Sequence, residues 1–239
     1  MAQGDRERWN ARYGVQEPQP APSPLLDESA ALLPRSGRGL DLAGGTGRHA
    51  LWMARRGLAV TLAEVSEIAA ARANSLAAQE GLPLSHALLD LEADPFPAGP
   101  WDLIVCAYFL YRPIFQTAAQ ALAPGGVLAV VHPTLRNLER NPKPGAAWLL
   151  SGGELPTLVA GLEVLRFDEA WRANGQHEAW LLARAHNPSS ASTIETEEPP
   201  ASAVTSALVF QAPERQRQSM ARPRSHSSAA IAVHTPGSP

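Results

Sequence analysis

Between residues 38 and 186, short apolar runs alternate with stretches in which apolar positions recur at helical spacing. The first run, Gly39 to Ala43, predicts a strand. A glycine loop follows, and residues 48–56 predict a helix. Residues 58–63 predict the second strand, and the alanine-rich stretch 66–80 a helix with Ser66 as N-cap and Gly81 as stop. Strand three is predicted at 84–89 and strand four at 101–107, the latter almost continuously apolar, as a strand covered on both faces should be. A helix at 113–122 ends in Pro124-Gly125-Gly126, and strand five runs over 127–131. A proline-rich excursion spans 133–144 and a short helix 154–160. The runs 162–168 and 177–185 are close enough to pair as a hairpin, which puts antiparallel strands at one edge. Alternation of strand and helix predicts an α/β, doubly wound, mostly parallel sheet with helices on both faces.

The rest of the chain has a different character. Residues 187–239 are dominated by Ser, Thr, Pro and Ala and hold Phe210 as their only aromatic residue. So little apolar surface cannot offset the entropy lost on ordering, and a disordered C-terminal tail is expected, with 203–210 a passive apolar segment inside it. Residues 1–37 are read as an N-terminal lid and 38–186 as the ligand-binding domain. Within the former, Trp9 and Tyr13 stand at i and i+4, on one face of a short helix that either covers the site or stays docked on the domain.

Composition narrows the choices further. At 239 residues and 45% hydrophobic, the chain has room for one well-packed domain plus appendages. A net charge of -3 with both signs scattered supplies no basic face for a phosphate backbone, so nucleic acid is not a favoured partner. Cys106, the single cysteine, lies in an apolar run and is expected to be a buried thiol, which excludes an intramolecular disulfide and a cysteine-based metal cage. The polar start and the lack of an apolar run of roughly 20 residues point to a cytoplasmic protein without a membrane span.

The chemistry concentrates where strand one turns into its helix, at Leu40-Asp41-Leu42-Ala43-Gly44-Gly45-Thr46-Gly47-Arg48-His49-Ala50. Glycines there let a ligand approach the backbone closely, and the free N–H groups of a helix start favour a negative group. The segment 45–50 also fits the G-x-G-x-x-A form of a dinucleotide fingerprint. Glu64 closes strand two seventeen positions after Gly47, where a carboxylate can accept from both hydroxyls of a ribose; Val65 adjoins it. Asp41, two residues before the turn, would attract an ammonium and repel a diphosphate. Asp90 closes strand three, placed either to accept from the amino group of adenine with Leu91 against the ring, or to cap a turn.

The order Leu40–Gly47, Glu64, Asp90-Leu91, Trp101-Asp102-Leu103-Ile104-Val105 and Leu122-Ala123-Pro124-Gly125-Gly126 resembles the motif series of class I, Rossmann-like S-adenosylmethionine-dependent methyltransferases. The likeness covers nearly all of 38–186. A narrower similarity to the tellurite-resistance-type small-molecule branch rests on Trp9-Asn10-Ala11-Arg12-Tyr13 and Tyr111-Arg112-Pro113-Ile114-Phe115. The resemblance implies a seven-stranded sheet ordered 3-2-1-4-5-7-6 with strand seven antiparallel, and S-adenosylmethionine as cofactor. It implies a cofactor set of Asp41, Ala43, Gly44, Gly45, Gly47, Glu64, Val65, Asp90, Leu91 and Tyr108, with no metal. Ala43 departs from the pattern, which has glycine there.

The expected activity is methyl transfer to a small-molecule acceptor by a monomer or homodimer. The acceptor pocket belongs beyond the carboxyl ends of the strands. His132, after strand five, is the histidine best placed to act as base, and Tyr111 is the second catalytic candidate. Tyr108 and Phe109 could flank a cation or pack a helix on the sheet; Arg112 is read as an ion pair or helix-end contact, and His49 as facing the cofactor mouth or solvent. Two alternatives stand beside this: an NAD(P)-dependent oxidoreductase, which lacks a Tyr-x-x-x-Lys pair because Lys143 is the sole lysine, and a catalytically idle adenosine-binding protein.

Overall fold

The computed structural model describes residues 2–15 and 21–187. The tail expected at 187–239 lies, apart from Asn187, outside them. In chain order the described residues form α1 (Ala2–Val15), α2 (Pro24–Glu28), β1 (Arg38–Leu42), α3 (Arg48–Arg55), β2 (Ala59–Glu64), α4 (Glu67–Gln79), β3 (Leu84–Leu88), β4 (Trp101–Ala107), α5 (Arg112–Gln120), β5 (Leu122–Pro133), α6 (Glu154–Leu158), β6 (Glu163–Trp171) and β7 (His177–Arg184). The strands make one seven-stranded sheet, ordered β3-β2-β1-β4-β5-β7-β6. β1 pairs in parallel with β2 and β4, and β4 with β5, whereas β7 runs antiparallel between β5 and β6.

Each central strand divides its side chains between two cores. Leu40, Leu42, Ile104, Cys106, Leu128, Val130 and Leu181 face a core closed by Ile114 and Phe115 of α5 and Leu155 of α6. The alternate positions Leu103, Val105, Val127, Ala129, Trp180 and Leu182 face the second core, with Leu25 and Leu26 of α2 and Trp52 and Met53 of α3. Two-sided burial explains the unbroken apolar runs of β4 and β7. A buried leucine in such a layer contributes roughly 1.5–3 kcal/mol.

Local chemistry sets the element ends. Ser66 Oγ accepts from Ala69 N at 3.2 Å and caps α4, and Gly81 follows that helix with φ 64°. β5 starts five residues before the predicted boundary, because Leu122 pairs with Trp101 ahead of a register shift near Leu103. The excursion after β5 is longer than its proline run. It contains 3-10 turns at Leu135–Glu139 and Ala146–Trp148 and returns through a bridge between Thr134 and Leu150. His177 anchors it, with Nδ1 2.7 Å from Thr134 Oγ1 and N–H donating to Asn137 Oδ1 at 3.2 Å.

Candidate functional site

Five strand ends and the loops after them converge at the carboxyl edge of the sheet. After β1 the chain turns through Ala43 at φ 50° and Gly45 at φ 56°, and Gly47 at φ 83° opens α3. A Cβ on Gly44 would stand 2.4 Å from Asp41 Oδ2, and one on Gly47 would stand 2.8 Å from Ala73 Cβ, so both glycines are demanded by close approach.

Asp41 is fully buried under this loop. Its Oδ2 accepts from Ala50 N at 2.9 Å, whereas Oδ1 has no hydrogen-bond partner. Burial pushes its carboxyl up to about 7, against the pull of the Ala50 N–H. Near Oδ1, at 3.9 Å, lies Nδ1 of His49. His49 is not at the mouth or in solvent as expected. It is buried, and its Nε2 accepts from Ser23 N at 3.2 Å, which leaves the ring proton on Nδ1. Burial holds this histidine down to about 3, so the pair is a neutral ring beside a carboxyl and not a salt bridge.

Glu64, at the end of β2, is 4% exposed and ties the loop together. Its Oε2 accepts from Gly45 N at 2.8 Å and its Oε1 from Ser66 N at 3.0 Å. The lone pair that these backbone donors leave free can accept from a ligand hydroxyl. Burial raises this carboxyl above its usual range. Asp90 takes the turn-cap geometry: Oδ1 accepts from Glu92 N at 2.9 Å, while its own N–H donates to Asp94 Oδ2 at 2.8 Å. Leu91 packs beside it on the α5-side core, and Val65 is half-buried after Glu64.

α1 lies across the same loop. Tyr13 Oη is 2.5 Å from the point where a Cβ of Gly45 would stand, so the missing side chain is what admits the phenol. Burial, then the Glu64 carboxylate, pushes that phenol up to about 12. Trp9 stacks on Tyr13 with ring centroids 5.6 Å apart, and Asn10 Oδ1 accepts from Ser66 Oγ at 2.6 Å.

At the ends of β4 and β5 the second group assembles. Tyr108 has φ 59°, and its hydroxyl donates to Glu178 Oε1 at 2.7 Å. His132 is 5% exposed; its Nε2 is 2.9 Å from the Trp148 carbonyl, which can only accept, so Nε2 carries the proton. Nδ1 therefore holds the lone pair, and it has no hydrogen-bond partner. Burial lowers the pKa of this ring and keeps it neutral. Tyr111 precedes α5 and packs its ring on the core near Ile114. Phe109 packs on the same core, and Cys106 is a buried thiol. Arg112 is committed to Glu154 of α6 and to Leu149 O at 3.3 Å, the ion-pair reading. Asp41, Glu64 and the glycines thus share one cradle; Tyr108 and His132 stand at the ends of the neighbouring strands β4 and β5, and Tyr111 packs against the core. Glu178 was missed, although a carboxylate inside the apolar run of β7 is the signal that marks it.

Residues 40–126 match a family model described as a methyltransferase domain, and the strand order is that of its class I form. Over these residues the chain is similar to methyltransferase domains. The motif resemblance noted in the sequence implies S-adenosylmethionine as the cofactor. Among sequence relatives, an uncharacterized protein of Mycobacterium tuberculosis and one of Mycobacterium bovis are each 29% identical over 177 residues, covering 62% of this chain. The chain spans 64% of the length of these relatives. Among solved structures, TehB from Haemophilus influenzae superposes with a TM-score of 0.57 at 21% identity, over 75% of this chain and 66% of TehB. A protein solved for the conversion of a disulfide bond into a thioacetal group in echinomycin biosynthesis gives 0.60 at 22%, over 77% and 93%. The [4+2]-cyclase SpnF gives 0.54 at 20%, over 69% and 80%. These likenesses concern the fold. The cradle's own chemistry suits S-adenosylmethionine, since Asp41 Oδ1 is a buried acceptor without a hydrogen-bond partner under the glycine loop, as an ammonium requires.

Proposed function

We propose that the protein transfers a methyl group from S-adenosylmethionine to a small-molecule acceptor. The observation that carries this reading is the buried, unpartnered Asp41 Oδ1 next to the glycine loop. An ammonium satisfies that oxygen, and a diphosphate would be repelled by it. This is also why an NAD(P)-linked reaction is not the reading adopted.

When bound, the cofactor supplies a methyl group on a cationic sulfur that departs as a neutral thioether. The chain's own residues hold, orient and exclude water. Asp41 would take the ammonium, and the backbone of Ala43, Gly44, Gly45 and Gly47 would border the amino-acid end. Glu64 would accept from ribose hydroxyls with its remaining lone pairs, with Val65 alongside; Asp90 and Leu91 would border adenine. Tyr108 would lie at the sulfur side. Holding two reactants in line can supply on the order of 7–11 kcal/mol, so alignment carries most of the catalysis. Where the acceptor atom carries a proton, that proton has to leave as the methyl group is taken up. His132 Nδ1, neutral and fixed in its tautomer by the Trp148 carbonyl, would receive it. Tyr111 is the lesser candidate, because its ring packs on the core. We take residues 38–186 as the catalytic domain and 1–37 as its cover.

The test is transfer from methyl-labelled S-adenosylmethionine, using the full chain and a cell extract separated into low-mass, protein and nucleic-acid fractions. Label is expected in the low-mass fraction. Label in protein or nucleic acid, or a product formed with the cofactor unconsumed, would overturn the proposal.

A further inference from the structure

Tyr108 keeps a left-handed backbone at φ 59° that an L-residue adopts only at a cost, so neighbouring groups must over-determine it. Two of them are polar. Tyr108 N donates to Val131 O at 2.8 Å, and the hydroxyl donates to Glu178 Oε1 at 2.7 Å, across 70 positions of sequence. Glu178 is 1% exposed in β7. The same Oε1 accepts from Asn174 Nδ2 at 2.8 Å, and Oε2 accepts from Trp180 Nε1 at 2.8 Å. A buried carboxylate persists only when donors compensate its lost hydration, and here three side chains do so.

Tyr108 also meets the start of α3, directly after the glycine loop. Arg48, the residue directly after Gly47, holds its guanidinium 5.2 Å from the centre of the Tyr108 ring. Glu178 from β7 and Arg48 from α3 are thus the charged groups that face the phenol. The arrangement ties the β6–β7 hairpin to the loop that would border the cofactor. Sheet packing alone does not call for a carboxylate, because the strand positions that follow, Ala179 to Ala183, are buried apolar residues.

We propose that Glu178 is a positioning residue for the cofactor site: through the Tyr108 hydroxyl it fixes the ring against Arg48 at the sulfur side of the cradle. This rests on the reading that S-adenosylmethionine occupies the loop.

The experiment compares the intact wild-type chain with Tyr108→Phe, Glu178→Gln and the double variant. Two quantities are read: affinity for S-adenosylhomocysteine by calorimetry, and ionisation of the phenols by ultraviolet absorbance. Tyr13, Tyr108 and Tyr111 are the only tyrosines, so one phenol can be followed by its loss in Tyr108→Phe. Each single variant is expected to weaken binding about five- to tenfold, the scale of one hydrogen bond, and the double variant is expected to be no weaker than the singles. Burial and the Glu178 carboxylate hold the Tyr108 phenol well above its ordinary range while Arg48 opposes them, so Glu178→Gln should let that phenol ionise at lower pH. Losses that multiply in the double variant, wild-type affinity in Glu178→Gln, or an unmoved phenol would overturn the proposal. A wild type that does not bind S-adenosylhomocysteine removes the cofactor reading, whereas the phenol titration judges the Glu178 link by itself. Should Glu178→Gln not fold, Glu178→Asp, which withdraws the carboxylate by one methylene, takes its place with the same expected loss.

Discussion

Ala43 holds φ 50° in the turn where the methyltransferase pattern has glycine. An L-residue in that region is disfavoured by about 1–2 kcal/mol, part of which glycine's greater freedom in the unfolded chain cancels. Ala43→Gly is therefore expected to raise the unfolding free energy by about 1 kcal/mol in a urea titration. A loss of stability would mean that the methyl group makes contacts outweighing the strain. Asp41, two residues earlier, gives a pH signature. Its carboxyl is pushed up to about 7, so near neutrality the free protein holds it partly protonated. The ionised form attracts an ammonium, and ligand binding should release a proton on the acid side of that value. Affinity for S-adenosylhomocysteine is expected to rise about tenfold from pH 6 to pH 8, the ratio of ionised fractions for such a group. Asp41→Asn should both weaken binding and flatten the profile; a flat wild-type profile would take Asp41 out of the site.

At the scale of elements, α1 and β7 contrast. The described residues of α1 are half-buried or exposed, and its contacts include Asn10 to Ser66, Tyr13 over Gly45, and Arg72 to the Gly14 carbonyl at 3.2 Å. Removing residues 1–15 is expected to leave the melting temperature within a few degrees of wild type, because little apolar surface is lost. It should weaken S-adenosylhomocysteine binding, since Trp9 and Tyr13 would no longer cover the loop, and in the intact chain ligand should slow amide exchange in α1. A steep fall in melting temperature would instead make α1 a fixed part of the fold. β7 is the opposite case: seven consecutive positions from His177 to Ala183 are buried. Its interior place was not legible from spacing, which indicates only a hairpin with its neighbour. The insertion between β5 and β6 came with the methyltransferase resemblance.

Across the whole molecule, the sheet and the glycine-loop cradle with its two carboxylates were readable because their signals are local. Two-sided apolar runs, a glycine loop and acidic strand ends each lie within a few residues of one another. The group around Tyr108 and His132 was not, because it is assembled over long separations: Glu178 reaches Tyr108 from another strand, and Trp148 sets the tautomer of His132 from the far end of a loop. His49 was misplaced for the same reason, since Ser23, 26 positions upstream, draws it inward. The proposed function turns on the charge of the ligand group placed beside Asp41. Calorimetric titration of the full chain with S-adenosylhomocysteine, beside NAD, tests that most directly. Micromolar binding of S-adenosylhomocysteine and none of NAD is the expected result; binding of NAD without S-adenosylhomocysteine would contradict it.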